Sequence, residues 1–481
     1  MQTILWHDYE TFGQDPRRDR PAQFAALRTD LDLNPVEDPL VLYCKPADDV
    51  LPAPVACLIT GITPQEAQSK GLVEDQFIAR IDEAFRVPET CGAGYNNIRF
   101  DDEVTRHTLY RNLYDPYARE WQNGNSRWDL LDVLRLAWAL RPEGIVWPKG
   151  EDGKPSFRLE LLTAANGIDH ASAHDAMSDV EATLAMARLL KARQPRLYQW
   201  AFDHRSKHAL RSLVDLQSRK PLLHVSGMYG TEKGCCALVA PLMWHPVNEN
   251  GLIVWDLRES PAELVDMDAE TLRYRLFSDR ATLEEDGNTR LPIKVVHLNK
   301  SPILAPSGVV KGTDPARLAG FGLDGATLRT HLAQVREVAD KVQDVLKAVF
   351  ESPPESTDDD ADVALYQGFW PDSDRKLMQE VHRQPPELLG ELDVKFSDDR
   401  LKTLFFRFRA RNYPETLNSE ERERWERYRY TKLTDPDSRY LTFERYFAEI
   451  QRLMARPDCS ARDREILENL IIYGQSILPA L

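Results

Sequence analysis

Through the first 192 residues, short apolar runs give way repeatedly to longer stretches in which apolar residues recur every three or four positions. This alternation of strand-like and helix-like segments predicts an α/β layered domain. Residues 3–10 form a strand candidate, and further strands are expected at 41–44 and 56–58. Helices are expected from Asp102 to Asn112, over 129–138, and over 157–166 with Ser156 as cap and Gly167 as the left-handed stop. The last helix of this part, 176–191, would bury Met177, Val180, Leu184 and Leu190 on one stripe.

The pattern changes after Arg193-Gln194-Pro195. Short apolar runs at 221–225, 236–240, 252–255 and 293–297, separated by Gly, Pro and Asn, suit a small β-rich domain. Helical spacing resumes over 326–350. Ser352-Pro353-Pro354 and Asp358-Asp359-Asp360 mark a linker or exposed loop, and 364–481 is expected to be helical throughout. At about 150 residues per domain, 481 residues allow three domains, placed here at 1–192, 193–350 and 351–481.

Composition narrows the class of function. A hydrophobic share of 42% with 29% charged residues is that of a globular chain, and no apolar run approaches the ~20 residues needed to cross a bilayer. The first residues show neither a basic leader nor a cleavable apolar stretch, so a cytoplasmic protein is expected. Six scattered cysteines form no C-x-x-C pair and read as reduced thiols. The net charge of −16 argues against binding nucleic acid through overall charge but leaves room for a local basic channel.

Three groups of residues could carry chemistry. Asp8 and Glu10 are two apart on the first strand, so both carboxylates project from one face. Such a pair repels itself unless cations lie between, although alone it reads more readily as a strand end with two solvated acids. Asp101 stands where a strand runs through a turn into a helix, beside Asp102 and Glu103; capping that helix is its competing role. His174 and Asp179 are five apart, which on a helix is a rotation of about 140°. His174 therefore belongs to a loop or first turn and Asp179 to the helix, an arrangement suited to a general base beside a metal ligand, although the isolated pair reads more readily as a polar helix start with a solvent-exposed histidine.

In order, D-x-E, N-x-x-F-D and H-x-x-x-x-D resemble the DEDDh superfamily of 3′→5′ exonucleases. The segments His7-Asp8-Tyr9-Glu10-Thr11-Phe12-Gly13, Asp19-Arg20-Pro21-Ala22-Gln23-Phe24-Ala25-Ala26, Gly94-Tyr95-Asn96-Asn97 and Ala173-His174-Asp175-Ala176-Met177 are similar to the bacterial exonuclease I family. That resemblance implies a ribonuclease-H-like exonuclease domain with a mixed sheet, an SH3-like β-rich domain with helical additions, and an all-α carboxy-terminal domain. It also implies that Asp8, Glu10, Asp101 and Asp179 hold two Mg²⁺ ions, with Mn²⁺ a possible substitute, and that His174 deprotonates the attacking water. Two such ions activate the nucleophile and stabilise the leaving 3′-oxygen, giving nucleoside 5′-monophosphates.

Aromatic and basic residues interleave between Tyr95 and Trp128, as stacking on an unpaired strand requires, though about half of these rings are expected in the core. By the resemblance, Arg106, Tyr117, Trp121, Arg135 and Arg158 contact DNA, with Arg158 nearest the terminal nucleotide and Glu10 a substrate contact as well. Lys207 and Lys300 are candidate phosphate contacts for the upstream strand. From Arg400 to Lys432 the chain is locally basic, which reads either as a binding face or as a solvated helix with mixed-sign pairs. The resemblance implies a monomer acting in DNA repair and recombination, whose partner is single-stranded-DNA-binding protein, docking its acidic tail near Arg141. A ribonuclease trimming RNA 3′ ends and an inactive DNA-binding scaffold are the competing functions.

Overall fold

Strand β1 (Thr3–Thr11) runs through the middle of the first sheet. It pairs antiparallel with β2 (Pro21–Thr29), which pairs antiparallel with β3 (Leu40–Tyr43), and it pairs parallel with β4 (Thr90–Gly94). The sheet is therefore mixed. The computed structural model describes residues 1–170, 174–323, 325–351 and 360–479. The chain divides into two compact units, the first formed by Met1–Ser126, His170–Leu184 and Thr357–Leu481, the second by Arg127–Asp169 and Ala185–Ser356.

In the first unit the two-residue period of β1 separates core from site. Leu5 and Tyr9 enter an apolar cluster with Phe24 and Ala26 of β2 and with Phe77, Ile78, Ile81 and Phe85 of the helix Glu74–Arg86. Asp8 and Glu10 take the opposite face. The expected strand at 56–58 is instead part of the helix Pro54–Thr60, because Pro54 supplies a pre-set first turn and Gly61 a left-handed stop at φ 75°. Beyond the site, Phe12 and Ala22 share a core with Leu433, Phe443, Tyr446, Ile450 and Leu467. The carboxy-terminal helices Ser419–Thr434, Phe443–Met454 and Ala461–Ser476 thus complete the packing of the amino-terminal part.

Charge is consumed along the same seam. Asp49, fully buried, accepts from Arg411 and from Lys432 at 2.7 Å each, and Asp362 pairs with Arg411 at 2.5 Å. Their guanidinium and ammonium partners hold both carboxyls well below the usual range. Arg400, Lys402, Arg409 and Arg429 are likewise paired, with Asp398, Asp399, Glu421 and Glu426. The mixed-sign pairs expected of the 400–432 segment are present, but Arg409, Arg429 and Lys432 are buried rather than on a solvated helix face.

Strand β5 (Ser126–Asp129) carries the chain into the second unit. There β6 (Leu222–Val225), β7 (Cys236–Trp244), β8 (Gly251–Asp256), β9 (Ile293–His297) and β10 (Leu304–Pro306) form an antiparallel sheet in the order β10-β6-β7-β8-β9. Four of the five strands were expected; β10, at three residues, leaves almost no pattern. The helix expected over 326–350 is two helices, Gly325–Val338 and Gln343–Glu351. Buried Val335, Val338, Val342 and Leu346 keep helical spacing across the break, so periodicity carries no trace of it. The expected helix at 157–166 starts later, at Leu159, with Arg158 rather than Ser156 at the cap position. Among the described residues no helix is long and apolar enough to cross a membrane. The linker expected at 352–354 and 358–360 lies, except for Asp360, outside the described residues.

Candidate active site

Asp8 and Glu10 stand opposite Ala25 and Gln23 of β2, and the ladder shifts register between Glu10 and Thr11, where Pro21 takes the place of the next partner. A bulge at the end of a strand ends regular pairing and re-aims the side chains beside it. On the other flank, β4 ends at Gly94, where a side chain would meet the His7 carbonyl oxygen at 2.8 Å. That close approach lets the chain turn through Asn96, at φ 63°, into the helix Asp101–Arg111.

Asp101 is not the cap of that helix; Phe100 holds the cap position and makes no side-chain cap bond. Asp101 instead accepts from the backbone N–H of Tyr9 at 3.0 Å, which brings it to the strand segment carrying Asp8 and Glu10. The fourth acid, Asp179, lies in the first turn of the helix Ala176–Arg193. His174 precedes this helix, exposed, with φ 69°, on the loop side as its spacing from Asp179 requires. Ligand atoms of Glu10, His174 and Asp179 all lie within 4.8 Å of one another.

The electrostatics of this group are unfavourable. Burial, then Asp101, Glu10 and Asp179, push the Asp8 carboxyl well above its ordinary value. Burial, then Asp179, Asp101 and Asp175, push Glu10 up. Asp179 is raised by burial, against a pull from His170. Four acids converging on one partly buried spot favour protonation unless positive charge is supplied, and oxygen-rich donor sets of this kind suit hard divalent cations. The residues present therefore fit a divalent-metal site.

Two polar neighbours escaped the sequence reading. His170 Nε2 lies 2.5 Å from Asp179 Oδ1, and Gln23 bonds to Asp175 at 3.1 Å. A second histidine four residues before His174 was the available signal for the first. For Gln23 there was no local one, since its partner is distant in sequence.

The residues assigned to strand binding are differently disposed. Arg106 is buried and donates to Glu103, Glu120 and the Tyr366 hydroxyl, with its guanidinium 5.5 Å from the Tyr117 ring. Trp121 is 65% exposed, which makes it the best placed of the tested rings to stack on a ligand, whereas Tyr110 and Trp128 are core. Arg135 pairs with Asp132 at 2.6 Å. Arg158 is largely exposed and pairs with Glu160 at 2.5 Å. Lys207 and Lys300 are exposed. Arg141 donates to the Thr313 hydroxyl at 2.6 Å and to the Val309 and Lys311 carbonyls, and Thr313 lines a pocket with Leu140, Pro142, Arg317 and Phe321.

Three family models match the chain: an exonuclease model over residues 5–187, the exonuclease I SH3-like domain over 205–352 and the exonuclease I C-terminal domain over 359–477. Exodeoxyribonuclease I of Escherichia coli (strain K12) is 48% identical over 478 residues, covering 99% of this chain and 98% of that protein. The zinc-ion-bound form of an E. coli exonuclease I–ssDNA complex superposes with a TM-score of 0.92 at 48% identity, covering 99% of this chain and 100% of the other. An SSB/exonuclease I structure in complex with the inhibitor CFAM gives a TM-score of 0.91 at 47% identity, with coverage of 99% and 100%.

Proposed function

The chain belongs to the exonuclease I family, and we propose that it hydrolyses single-stranded DNA from the 3′ end, with Asp8, Glu10, Asp101 and Asp179 holding two divalent cations and His174 serving as general base. The observation that carries this reading is the convergence of Glu10, His174 and Asp179 ligand atoms within 4.8 Å. Asp101 is close enough to Asp8 to raise its proton affinity. Bound cations supply the charge that activates a water and stabilises the leaving 3′-oxygen. His174, outside the helix and exposed, is free to take the water's proton and to release it to solvent. Asp179 is fixed within the helix, so its carboxylate serves to hold rather than to shuttle.

On this reading the cation is Mg²⁺, with Mn²⁺ as substitute, and the products are nucleoside 5′-monophosphates. The exonuclease domain spans 1–192, the SH3-like domain with its helical additions 193–350, and the helical domain 351–481, a division supported by the extents of the three matching family models. A DNA substrate is supported by the ssDNA complex of the E. coli relative. Arg158, Trp121, Tyr117, Arg135 and Arg106 serve the terminal nucleotides, Arg106 by holding Tyr117 and Glu120 in place. The acidic tail of single-stranded-DNA-binding protein is the partner we assign to the wall shaped by Arg141, where Thr313 and Arg317 meet. The protein works as a cytoplasmic monomer in DNA repair and recombination.

The test is hydrolysis of matched single-stranded DNA, duplex DNA and RNA oligomers by the intact protein, with and without Mg²⁺. Mononucleotide release from the 3′ end of single-stranded DNA alone, abolished by chelator and restored by Mg²⁺, is expected. Equal or faster cleavage of RNA would replace the DNA assignment, and release without any divalent cation would remove the metal one.

A further inference from the structure

The segment Asp19-Arg20-Pro21-Ala22-Gln23-Phe24-Ala25-Ala26 supplies none of the five residues assigned to the reaction, yet its glutamine reaches the site. Gln23 is buried on β2 directly opposite Glu10. Opposed residues of an antiparallel pair point to the same face, so the Gln23 amide lies on the side of Asp8 and Glu10. It makes three hydrogen bonds. Nε2 donates to Asp175 Oδ1 at 3.1 Å and to the Tyr43 hydroxyl at 3.0 Å, while Oε1 accepts from the backbone N–H of Ala176 at 3.1 Å.

Two of these bonds end on the two residues that follow His174. Asp175 also caps its own helix, accepting from Ser178 N–H at 3.2 Å through its second oxygen, and the Asp179 N–H closes the turn on the Asp175 carbonyl at 3.0 Å. A helix start leaves several N–H groups without partners, and a local cap such as Asp175 is the usual remedy. A cap reaching over from the sheet does something a local one cannot: it fixes where the helix begins relative to the strand. His174, just before it, has φ 69°, a backbone state unfavourable for a residue with a side chain that persists only where the surroundings over-determine it.

We infer that Gln23 is a positioning residue for the reaction: by holding Asp175 and Ala176 to β2, it sets His174 at its distance from Glu10. The inference rests on the reading of His174 as general base. A buried glutamine that merely satisfies its neighbours would, if removed, lower stability without a particular link to His174.

The experiment is a double-mutant cycle on the full-length protein at saturating Mg²⁺, measuring kcat, KM and the thermal midpoint. Gln23→Met removes all three bonds at nearly constant length, and Gln23→Asn keeps the amide but leaves it one methylene short. Displacement of a reacting group by about 1 Å costs on the order of 100-fold in rate, so each variant is expected to lose about 10- to 100-fold in kcat, with KM changed less than about threefold. In the His174→Ala background the same substitutions should cost less than about threefold, because the group they misplace is already gone. Wild-type kcat in folded Gln23→Met or Gln23→Asn overturns the inference, as does an equal loss in both backgrounds. Should Gln23→Met fail to fold, Gln23→Asn carries the cycle, and should that fail too, Tyr43→Phe, which frees one of the amide's anchors, is measured for the same coupling, with absence of any coupling overturning the inference. Full turnover in His174→Ala alone overturns the general-base reading and takes the inference with it, whereas a normal loss in His174→Ala with uncoupled Gln23 overturns the inference by itself.

Discussion

The backbone N–H of Tyr9 donates to Asp101 Oδ1 at 3.0 Å, so the residue that separates the two acids of β1 also fixes the third. One oxygen of Asp101 is thereby committed to the strand, and on the proposed reading the carboxylate serves the cations through its charge. Asp101→Asn keeps an oxygen for Tyr9 and removes only the charge. The variant is expected to fold normally and to lose at least about 100-fold in hydrolysis. Nucleotide release and the far-ultraviolet dichroism of the purified variant check both halves; near-wild-type Mg²⁺-dependent release would show that the charge is dispensable.

His174→Ala separates chemistry from binding. Turnover should fall by about 10²–10⁴-fold, the usual contribution of a general base, while affinity for a single-stranded oligomer in Ca²⁺ stays within about threefold. Calorimetric titration with Mn²⁺ completes the assignment. Weakened metal affinity with unchanged turnover would make His174 a ligand instead.

Lys207 and Lys300, both exposed, are the proposed grips on the upstream strand. Each phosphate contact to a single strand contributes about 0.7 to the slope of log affinity against log salt. The Lys207→Ala, Lys300→Ala double variant should therefore flatten that slope by about 1.4, that is about 0.7 for each of two contacts, without changing the rate of the first cleavage at low salt. A slope unchanged between the variant and the parent would remove both lysines from the path of the strand.

Stability has its own pH dependence. His107 is buried between Tyr110 and Tyr366, and among the described residues neither ring nitrogen has a hydrogen-bond partner. Burial pushes its pKa down from 6.5 to about 4. The unfolded chain then takes up a proton near pH 6.5 that the folded chain refuses until about pH 4. The associated stability is fully present above pH 6.5 and lost as pH falls to about 4, a change of roughly 3 kcal/mol at 1.36 kcal/mol per unit. Urea unfolding between pH 7.5 and 4 should show this loss in the parent and a shallower one in His107→Gln. Identical slopes would place the titration elsewhere.

The candidate site was legible in the order of D-x-E, N-x-x-F-D and H-x-x-x-x-D along the chain, since each pair alone, two apart on a strand or five apart across a helix start, reads more readily as solvated polar residues. Much of the second sheet was legible in its short apolar runs. Strand β2 was not expected, because all nine of its residues are buried and the alternation that betrays a half-exposed strand is absent. The helix Pro54–Thr60 reads as a strand in the sequence because three apolar residues in a row fit either period. Gln23 and Asp175 meet only in three dimensions, as do Asp49, Arg411 and Lys432, and nothing in a single chain marks such partners.

Leu467 is wholly buried in the core that joins Phe12 and Ala22 to the carboxy-terminal helices. Leu467→Ala is expected to cost about 2–5 kcal/mol in urea unfolding, and it should depress activity at raised temperature although the residue lies in the last helix. A fragment ending at residue 192 would bare the other half of that core, and it should aggregate or bind a hydrophobic dye rather than cleave DNA. A soluble, active fragment with a sharp unfolding transition would show that the shared core is not needed.

The same shared core bears on the order in which the chain is made. A ribosome releases Asp8, Glu10 and Phe12 first, but the side chains that pack under Phe12, from Phe443 to Leu470, emerge last. Until then the nascent protein carries every polar group of the site on an unfinished foundation, with apolar surface open to solvent and to chaperones. Translation thus delays the moment at which a DNA-degrading activity is assembled, and a product lacking those helices is expected to expose this core and be cleared by proteolysis rather than persist as a free nuclease.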